Sequence, residues 1–327
     1  MVAEGIPGAL IYGSPTRLPM TQSYLDPRLT ERRNPRTTEI DRATGLEIID
    51  LISAEDATVP AAVARVREEI ARAIDLIVAA FRSGGKLCYI GAGSSGRLGV
   101  LDAAECPPTF GTEPELVTGS IAGGYRALVR SVEGAEDDVN AGIGEMDGQR
   151  VGNRDIVVGI AASGTTPYVR AALGRAQALG ARTVLVSCSA PPPLLQESCD
   201  VCITVLVGPE VITGSTRMKA GTATKLVLNM LTTGSMIRLG KTWGNLMVDL
   251  RATNAKLTDR SERILMEATA LPRPAVHAAL EAAGGRVKPA IVMLRRNVSL
   301  AEADRLLDTH EGRLRDVVGD PPPVRAS

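Results

Sequence analysis

Apolar residues recur at helical spacing in the first part of this chain. Between residues 38 and 85 they return every three or four positions, which predicts a helix over residues 38–51 and a longer helix after Thr58. Thr58 is the predicted N-cap of the second helix, and Gly84-Gly85 is its predicted end. The apolar stripe of this longer helix comprises Val63, Val66, Ile70, Ile74, Ile77 and Phe81.

The spacing changes after residue 85, where short apolar, β-branched runs alternate with helical stretches. This alternation predicts an α/β fold with a parallel, doubly wound sheet covered by helices on both faces. A helix over residues 97–105 should stop at Pro107-Pro108, because proline cannot continue the backbone hydrogen-bond ladder. The predicted strands lie at 86–90, 116–121, 155–161, 182–187 and 201–207.

After residue 208 the pattern is helical again. Residues 216–239 are predicted to form one long helix, and residues 253–318 several helices without strands, of which 273–318 suit a small bundle. These boundaries divide the chain into three predicted parts. They are a loose N-terminal extension at 1–33, an α/β domain with flanking helices at 34–257, and a C-terminal helical subdomain at 258–327.

Composition and charge exclude several classes of protein. The 37 basic and 37 acidic residues cancel, and the chain has only eight aromatic residues, so neither nucleic acid nor an acidic membrane surface is an expected partner. The sequence contains no apolar run long enough for a transmembrane helix and no signal-peptide pattern, so we expect a cytoplasmic protein. Five cysteines, an odd number, suit a reducing compartment.

The histidine and cysteine content also narrows the chemistry. Only His277 and His310 are present, so a Ser-His-Asp triad or a histidine-rich metal site is not expected. Cys199 and Cys202 have the CxxC spacing of a zinc site, but no second pair and no histidine is near them in sequence. The edge of a strand is the better interpretation of this pair, and we expect no metal.

Two predicted strand-loop-helix units carry loops of glycine and hydroxyl residues, at 91–96 and 162–166. Small residues let backbone N–H groups at a helix N-terminus approach an anion, and Ser or Thr hydroxyls add neutral donors, as a sugar phosphate requires. The alternative is a pair of tight turns, but two loops at matching positions favour a ligand site at the carboxyl edge of the sheet. The candidate binding residues are Ser94, Ser95, Gly96, Ser163, Gly164, Thr165 and Thr166.

The first loop also matches the G-x-G-x-x-G pattern of dinucleotide-binding proteins. That pattern requires an acidic residue at the end of the next strand, about twenty residues on, to hold the ribose. Here the next strand ends in Thr-Gly-Ser-Ile without a carboxylate. An NAD enzyme is therefore disfavoured, and we expect no cofactor.

Carboxylates are the remaining source of acid-base chemistry. Glu105 stands before Cys106-Pro-Pro, and Glu136 lies at a predicted helix start; each is a catalytic candidate or a surface or capping group. The segment from Ser215 to Lys219 is basic and begins a helix, so it is an anion contact or a solvated turn.

Several segments resemble the N-acetylmuramic acid 6-phosphate etherases, a family of the sugar isomerase (SIS) phosphosugar-binding superfamily. The similarity runs from about residue 34 to residue 318. The resembling segments are GAGSSGRLGVLDAAECPPTFG (91–111), SVEGAED (131–137), VVGIAASGTTPYV (157–169), GPEVITGSTRMKAGTATKLVLNML (208–231) and GNLMVDLRATNAKL (244–257).

The resemblance implies a three-layer αβα SIS domain, a small C-terminal bundle like a ubiquitin-associated domain, and a homodimer whose active site takes residues from both subunits. It implies cleavage of the D-lactyl ether of N-acetylmuramate 6-phosphate, without a metal or a nucleotide. Glu105 corresponds to the acid that protonates the departing lactate and Glu136 to the second catalytic carboxylate, for which we expect the role of base.

The resemblance also implies binding roles. By analogy the second loop holds the phosphate, while Ser94 and Ser95 contact sugar hydroxyls or the acetamido group. Ser215, Lys219 and Lys256 are further candidates, although a lysine is as often solvated. The family's second loop often has Arg where this chain has Thr165. Compared with those relatives, this chain therefore lacks a positive charge at this position of the loop.

Two other functions on the same fold stay open at this point. One is a non-catalytic phosphosugar sensor similar to glucokinase regulatory protein. The single predicted SIS unit, the two glutamates and the lack of a basic helix-turn-helix segment argue against it. The other is an aldose-ketose isomerase, which often uses a His or a Glu for ring opening and proton transfer; neither histidine here is near the loops in sequence.

Overall fold

The computed structural model describes residues 28–250 and 255–324. Residues 1–27, most of the predicted N-terminal extension, lie outside the described residues. The described helices of the first 250 residues are α1 (Gly45–Asp56), α2 (Val59–Ala64), α3 (Arg67–Arg82), α4 (Gly93–Phe110), α5 (Arg126–Val129), α6 (Val139–Gly148), α7 (Pro167–Ala178), α8 (Pro193–Ser198) and α9 (Lys219–Arg238).

A parallel sheet of five strands forms the centre of the fold, in the order β2-β1-β3-β4-β5. The chain adds β2 on one side of β1 and then β3, β4 and β5 on the other, so the order reverses between β1 and β3. The predicted doubly wound parallel sheet is confirmed. Its strands are β1 (Leu87–Gly91), β2 (Val117–Ile121), β3 (Ile156–Ile160), β4 (Arg182–Ser187) and β5 (Val201–Thr204).

Each face of the sheet is buried under its own helices. Tyr89 and Val158 point into a core formed with α2, α3, α4 and α9. The alternate residues Cys88 and Val157 point into a second core with α6 and α7. Because successive side chains of a strand face opposite ways, both faces need apolar residues, and this explains the continuous apolar runs in the sequence.

The helices before the sheet differ from the prediction. The helix predicted at 38–51 begins only at Gly45, because Thr44 and Glu47 form a capping box there and the preceding residues make short 3-10 turns. The longer predicted helix is two helices, separated at Arg65-Val66. Thr58 does not cap the first of them, since its hydroxyl donates back to the Glu55 carbonyl at 2.7 Å.

Helix α4 continues through the prolines that were expected to end it. Pro107 and Pro108 lie inside the helix, close to its end. A proline φ is compatible with helix, and only two backbone hydrogen bonds are lost there. The helix ends instead at Gly111, which has φ +61° and donates its N–H to the Pro107 carbonyl.

Residues 28–33, the last part of the predicted loose extension, lie against the sheet domain. Thr30 is fully buried, and its hydroxyl is 3.3 Å from the Ser189 hydroxyl in the loop after β4. This part of the extension is therefore held in place, contrary to the prediction.

The C-terminal helices form a separate core, as the pattern of the sequence predicts. Trp243 is buried in this core and donates its indole N–H to the Gly319 carbonyl at 2.9 Å. Val248 and Leu250 are buried there too, so this core includes residues that precede the boundary predicted at residue 258. Its elements are a hairpin that the sequence did not predict, β6 (Thr242–Trp243) with β7 (Leu246–Met247), and α10 (Ala255–Thr269), α11 (Arg273–Ala282), α12 (Val287–Arg296), α13 (Leu300–Thr309) and α14 (Leu314–Val318).

Across residues 28–250 and 255–324, each helix is too short or too polar to cross a bilayer.

Alanine substitutions at two glycines of α6 can test how closely this helix packs on α7. A Cβ added to Gly142 would lie 2.3 Å from the Tyr168 carbonyl oxygen, in the first turn of α7, whereas a Cβ on Gly144 meets nothing within 4 Å. We expect Gly142→Ala to lower the free energy of unfolding by about 1–3 kcal/mol through overpacking. Gly144→Ala should raise it by about 0.5–1 kcal/mol, since alanine favours helix.

Urea denaturation of the two variants and the wild type measures this difference. Equal effects of both substitutions would show that α6 and α7 are not in close contact.

Candidate active site

The two glycine-hydroxyl loops meet where the strand order reverses. The last residues of β1 and β3 are paired in register, Gly91 with Ile160. Each strand is followed directly by its loop, and in an open parallel sheet a ligand binds at this point, outside the carboxyl ends of the strands. The structure therefore brings the two predicted loops to adjacent positions on one edge.

The first loop turns directly into α4. Ala92 has extended backbone angles and the helix starts at Gly93, with Ser94 and Ser95 half-buried in its first turn. A Cβ on Gly96 would lie 2.8 Å from the Gly91 carbonyl oxygen, so Gly96 is a packing residue that lets the helix approach the sheet. The free N–H groups and the two hydroxyls remain as donors for a ligand.

The second loop forms a turn before α7. Gly164 has φ +72°, and the Ser163 hydroxyl accepts hydrogen bonds from the Thr165 N–H at 3.2 Å and the Thr165 hydroxyl at 3.0 Å. Thr166 precedes Pro167, the first residue of α7, and its side chain makes no capping bond to the helix. Ser163, Thr165 and Thr166 are half-buried, so this loop presents neutral donors to a ligand.

Glu136 lies beside the first loop. It belongs to a 3-10 turn at Ala135–Asp137 and is exposed. With Gly93 and Arg97 it lines a cavity of about 160 Å³. The structure therefore brings this predicted carboxylate next to the loop that was predicted to bind the sugar.

Glu105 lies far from that cavity within one chain. It is exposed on α4, twelve residues after Gly93. At about 1.5 Å per residue, these twelve residues separate it from Gly93 by about 18 Å along the helix axis. A single chain does not bring Glu105 and Glu136 together.

Lys219, a predicted ligand contact, has a different role. It is 1% exposed, and its ammonium lies 2.6 Å from the Glu55 carboxylate of α1, which also binds Arg36 at 2.5 Å. The hydrogen bond from Arg36, opposed by burial and assisted by Lys219, lowers the pKa of Glu55 to about 2. The Lys219 ammonium is thus committed to an internal ion pair and has no surface to offer a ligand.

Ser215 and Lys256, the other two binding candidates, lie at different places. Ser215 is half-buried in the turn before α9, where its carbonyl accepts the Met218 N–H at 3.1 Å. Lys256 is exposed in the first turn of α10, within the C-terminal helical part.

Comparison with known proteins decides the family. The chain is 54% identical to the N-acetylmuramic acid 6-phosphate etherase of Gloeobacter violaceus over 88% of this chain and 93% of that protein. It is 50% identical to the etherase of the same name from Aeromonas hydrophila over 88% and 96%, and 51% identical to that from Edwardsiella ictaluri over 90% and 98%. The chain belongs to the N-acetylmuramic acid 6-phosphate etherase family.

A second comparison concerns the sheet domain alone. The family described as "Glucokinase regulatory protein N-terminal SIS domain" matches residues 69–177 of this etherase-family chain. These residues contain both loops and both glutamates, and they make up about a third of the chain. The predicted SIS fold is confirmed.

Sequence reasoning missed Glu210, which supports the start of α9 in this etherase-family fold. It is fully buried, and its carboxylate accepts the N–H groups of Lys219 and Ala220, each at 2.9 Å. Burial raises the pKa of Glu210, against these two hydrogen bonds. A capping residue normally lies next to its helix in sequence. Glu210 lies nine residues before Lys219, so this role cannot be predicted from the sequence pattern.

The cysteine pair lies at the edge of the sheet, as the sequence indicated. Cys199 follows α8, and Cys202 lies in the edge strand β5; both are free thiols. Among the residues that the structure describes, no three His, Cys, Asp or Glu side chains are grouped closely enough to hold a metal ion.

The ion pair of Lys219 predicts a large loss of stability on its removal. We expect Lys219→Met to lower the free energy of unfolding by about 3 kcal/mol, because the buried Glu55 carboxylate then loses one of the two cations that pair with it among the described residues. Lys225→Met, on the exposed face of the same helix, is the matched control and should change it by less than about 0.5 kcal/mol. Chemical denaturation measures both, and equal stability of the two variants would contradict the assigned role.

Proposed function

We propose that this protein cleaves the D-lactyl ether of N-acetylmuramic acid 6-phosphate, giving N-acetylglucosamine 6-phosphate and D-lactate. The observation that carries the proposal is about 50% identity to etherases of that name over about 90% of this chain and nearly the whole length of each relative. Release of lactate and an amino sugar phosphate suits a role in recycling cell-wall amino sugars. Five free cysteines support a cytoplasmic location.

The ether is a poor leaving group, so the reaction needs help at two atoms. In the ring-opened sugar the C3 ether lies β to the C1 aldehyde, which acidifies the C2 proton. A base removes that proton, an acid protonates the ether oxygen as the C3–O bond breaks, and water then adds to C3 of the unsaturated aldehyde. Two carboxyl groups in different protonation states suffice for this chemistry.

We assign the base to Glu136 and the acid to Glu105. The position of Glu136 beside the first loop, in the cavity with Gly93 and Arg97, supports its role. For Glu105, the separation of about 18 Å along α4 supports a homodimer in which the second subunit supplies this residue to the site. Its exposure at the surface of one chain agrees with a position at such an interface.

The phosphate is assigned to the second loop. Ser163, Gly164, Thr165 and Thr166 offer hydroxyls and backbone N–H groups at the start of α7, which suit an anion held by neutral donors. Ser94 and Ser95, on the neighbouring loop, are assigned to the hydroxyls or the acetamido group of the sugar.

One observation favours a second function, a phosphosugar sensor without catalysis. The residues that match the SIS domain of glucokinase regulatory protein include both loops. A sensor would bind sugar phosphates in the same place and release no lactate. For an isomerase, by contrast, the available histidines are poorly placed, because His277 lies in α11, 2.7 Å from Glu262, and His310 follows α13.

Incubation with N-acetylmuramic acid 6-phosphate tests the function directly. We expect the wild type to release D-lactate. Glu105→Gln should release it at least about 10²-fold more slowly, because a positioned proton transfer is lost. Glu136→Gln should also abolish exchange of the C2 proton with deuterated water. Glu115→Gln and Asp137→Asn are exposed neighbours that serve as controls and should keep the wild-type rate.

Binding of the sugar phosphate without any lactate from the wild type would favour the sensor. Unchanged lactate release by Glu105→Gln, or unchanged C2 exchange by Glu136→Gln, would refute the assigned role of that residue.

Mixing the two inactive variants tests the shared site. If Glu105 and Glu136 of one site come from different subunits, a mixed dimer has one intact site. Random reassociation of Glu105→Gln with Glu136→Gln should then restore about a quarter of the wild-type rate, because half of the dimers are mixed. If both residues came from one subunit, no mixed dimer would have an intact site and the mixture would stay inactive.

A further inference from the structure

A groove between α4 and α9 extends beyond the site assigned so far. Its volume is about 440 Å³, and it runs between the first turn of α4 and the first turns of α9. One wall contributes Ser94, a residue of the first loop. The lining residues are Ser94, Arg97, Leu98, Arg217, Gly221, Thr222 and Lys225.

Two exposed cations line this groove. Arg217 and Lys225 are exposed, and neither forms an ion pair or a side-chain hydrogen bond with any described residue. Lys219, two residues after Arg217, by contrast forms an ion pair with Glu55. Exposed cations that line one groove together with a hydroxyl favour the binding of an anion.

The other charged groups around the groove are already engaged. Arg97 donates to the Leu128 carbonyl at 3.0 Å and the Ala127 carbonyl at 2.8 Å, so it holds the segment at α5 in place. Asp102 is buried, with its carboxylate bound to the Tyr89 hydroxyl and the Asn229 amide. Burial raises the pKa of Asp102, and hydrogen bonds from Thr232 and Tyr89 together with the charge of Lys225 oppose this shift.

The groove adjoins the cavity of Glu136. Arg97 lines both spaces, and the neighbouring residues Ser94 and Gly93 line one each. A ligand on the first loop can thus reach Glu136 on one side and the exposed Arg217 and Lys225 on the other. The second loop, assigned to the phosphate, has no such cations among its residues 162–166.

We propose that this groove binds the carboxylate of the D-lactyl group, with Arg217 and Lys225 as its cationic contacts. The inference rests on the proposed function, since that substrate carries two anions, a phosphate at C6 and a carboxylate on the ether at C3. A guanidinium matches a carboxylate with two parallel hydrogen bonds, which fixes orientation as well as position. The groove then distinguishes the ether substrate from the sugar phosphate product, which lacks the carboxylate.

Two constants measured on the same variants test the assignment. We expect Arg217→Gln and Lys225→Gln each to raise KM for N-acetylmuramic acid 6-phosphate about ten-fold or more, because a charge-assisted contact is lost. The inhibition constant of N-acetylglucosamine 6-phosphate should stay within about two-fold of the wild type, since that molecule never occupies the groove. Arg296→Gln removes one exposed charge in the C-terminal part and is the matched control.

The outcomes separate the possibilities. A parallel rise of both constants would mean that the groove holds the phosphate, and no rise in KM would mean that it holds neither anion; each result overturns the proposal. Both substitutions are at exposed positions, and unchanged melting temperatures would show that the variants are folded. If the wild type releases no D-lactate, the proposed function fails and this inference fails with it.

Discussion

The close approach of α4 to the sheet is the constraint on which the rest of the structure depends. Glycines make it possible: a Cβ on Gly99 would lie 2.9 Å from Tyr89 of β1, and one on Gly119 of β2 would lie 2.6 Å from the Val100 Cα atom. At this separation the helix cannot rotate or slide without a clash. Its first turn is thereby fixed beside the carboxyl end of β1, and its last turns are directed away from it.

This fixed helix carries residues of the proposed catalytic site near both of its ends. Its N-terminal end supplies the first loop, to which we assign the sugar, and one wall of the groove with Arg217 and Lys225, and Glu136 lies next to it. Its distal end displays Glu105 on the surface. The proposed homodimer with a shared site accounts for this placement, because the rigid helix holds Glu105 away from the first loop of its own chain.

Local patterns predicted the sheet and the loops well, because each depends on residues that are adjacent in sequence. The apolar runs fixed the strands and the glycines after β1 and β3 marked the loops. The wrong predictions arise where contacts with residues distant in sequence outweigh or escape local preferences. Pro107 and Pro108 have a strong local preference to end a helix, but the packing of α4 outweighs it. Likewise, the partner of Lys219 is Glu55, 164 residues away, which no spacing rule can reveal. The two-residue strands of the β6–β7 hairpin are too short to show a period.

The position of Trp243 makes its fluorescence a probe of the C-terminal core. It is the only tryptophan of the sequence, it is 1% exposed, and it lies in the C-terminal core with the Arg295 guanidinium 5.8 Å above its ring. Its intrinsic fluorescence therefore reports on that core and is silent about the sheet. Since circular dichroism senses the whole chain, a shift between the two melting curves would reveal whether the two cores unfold as one cooperative unit or in sequence.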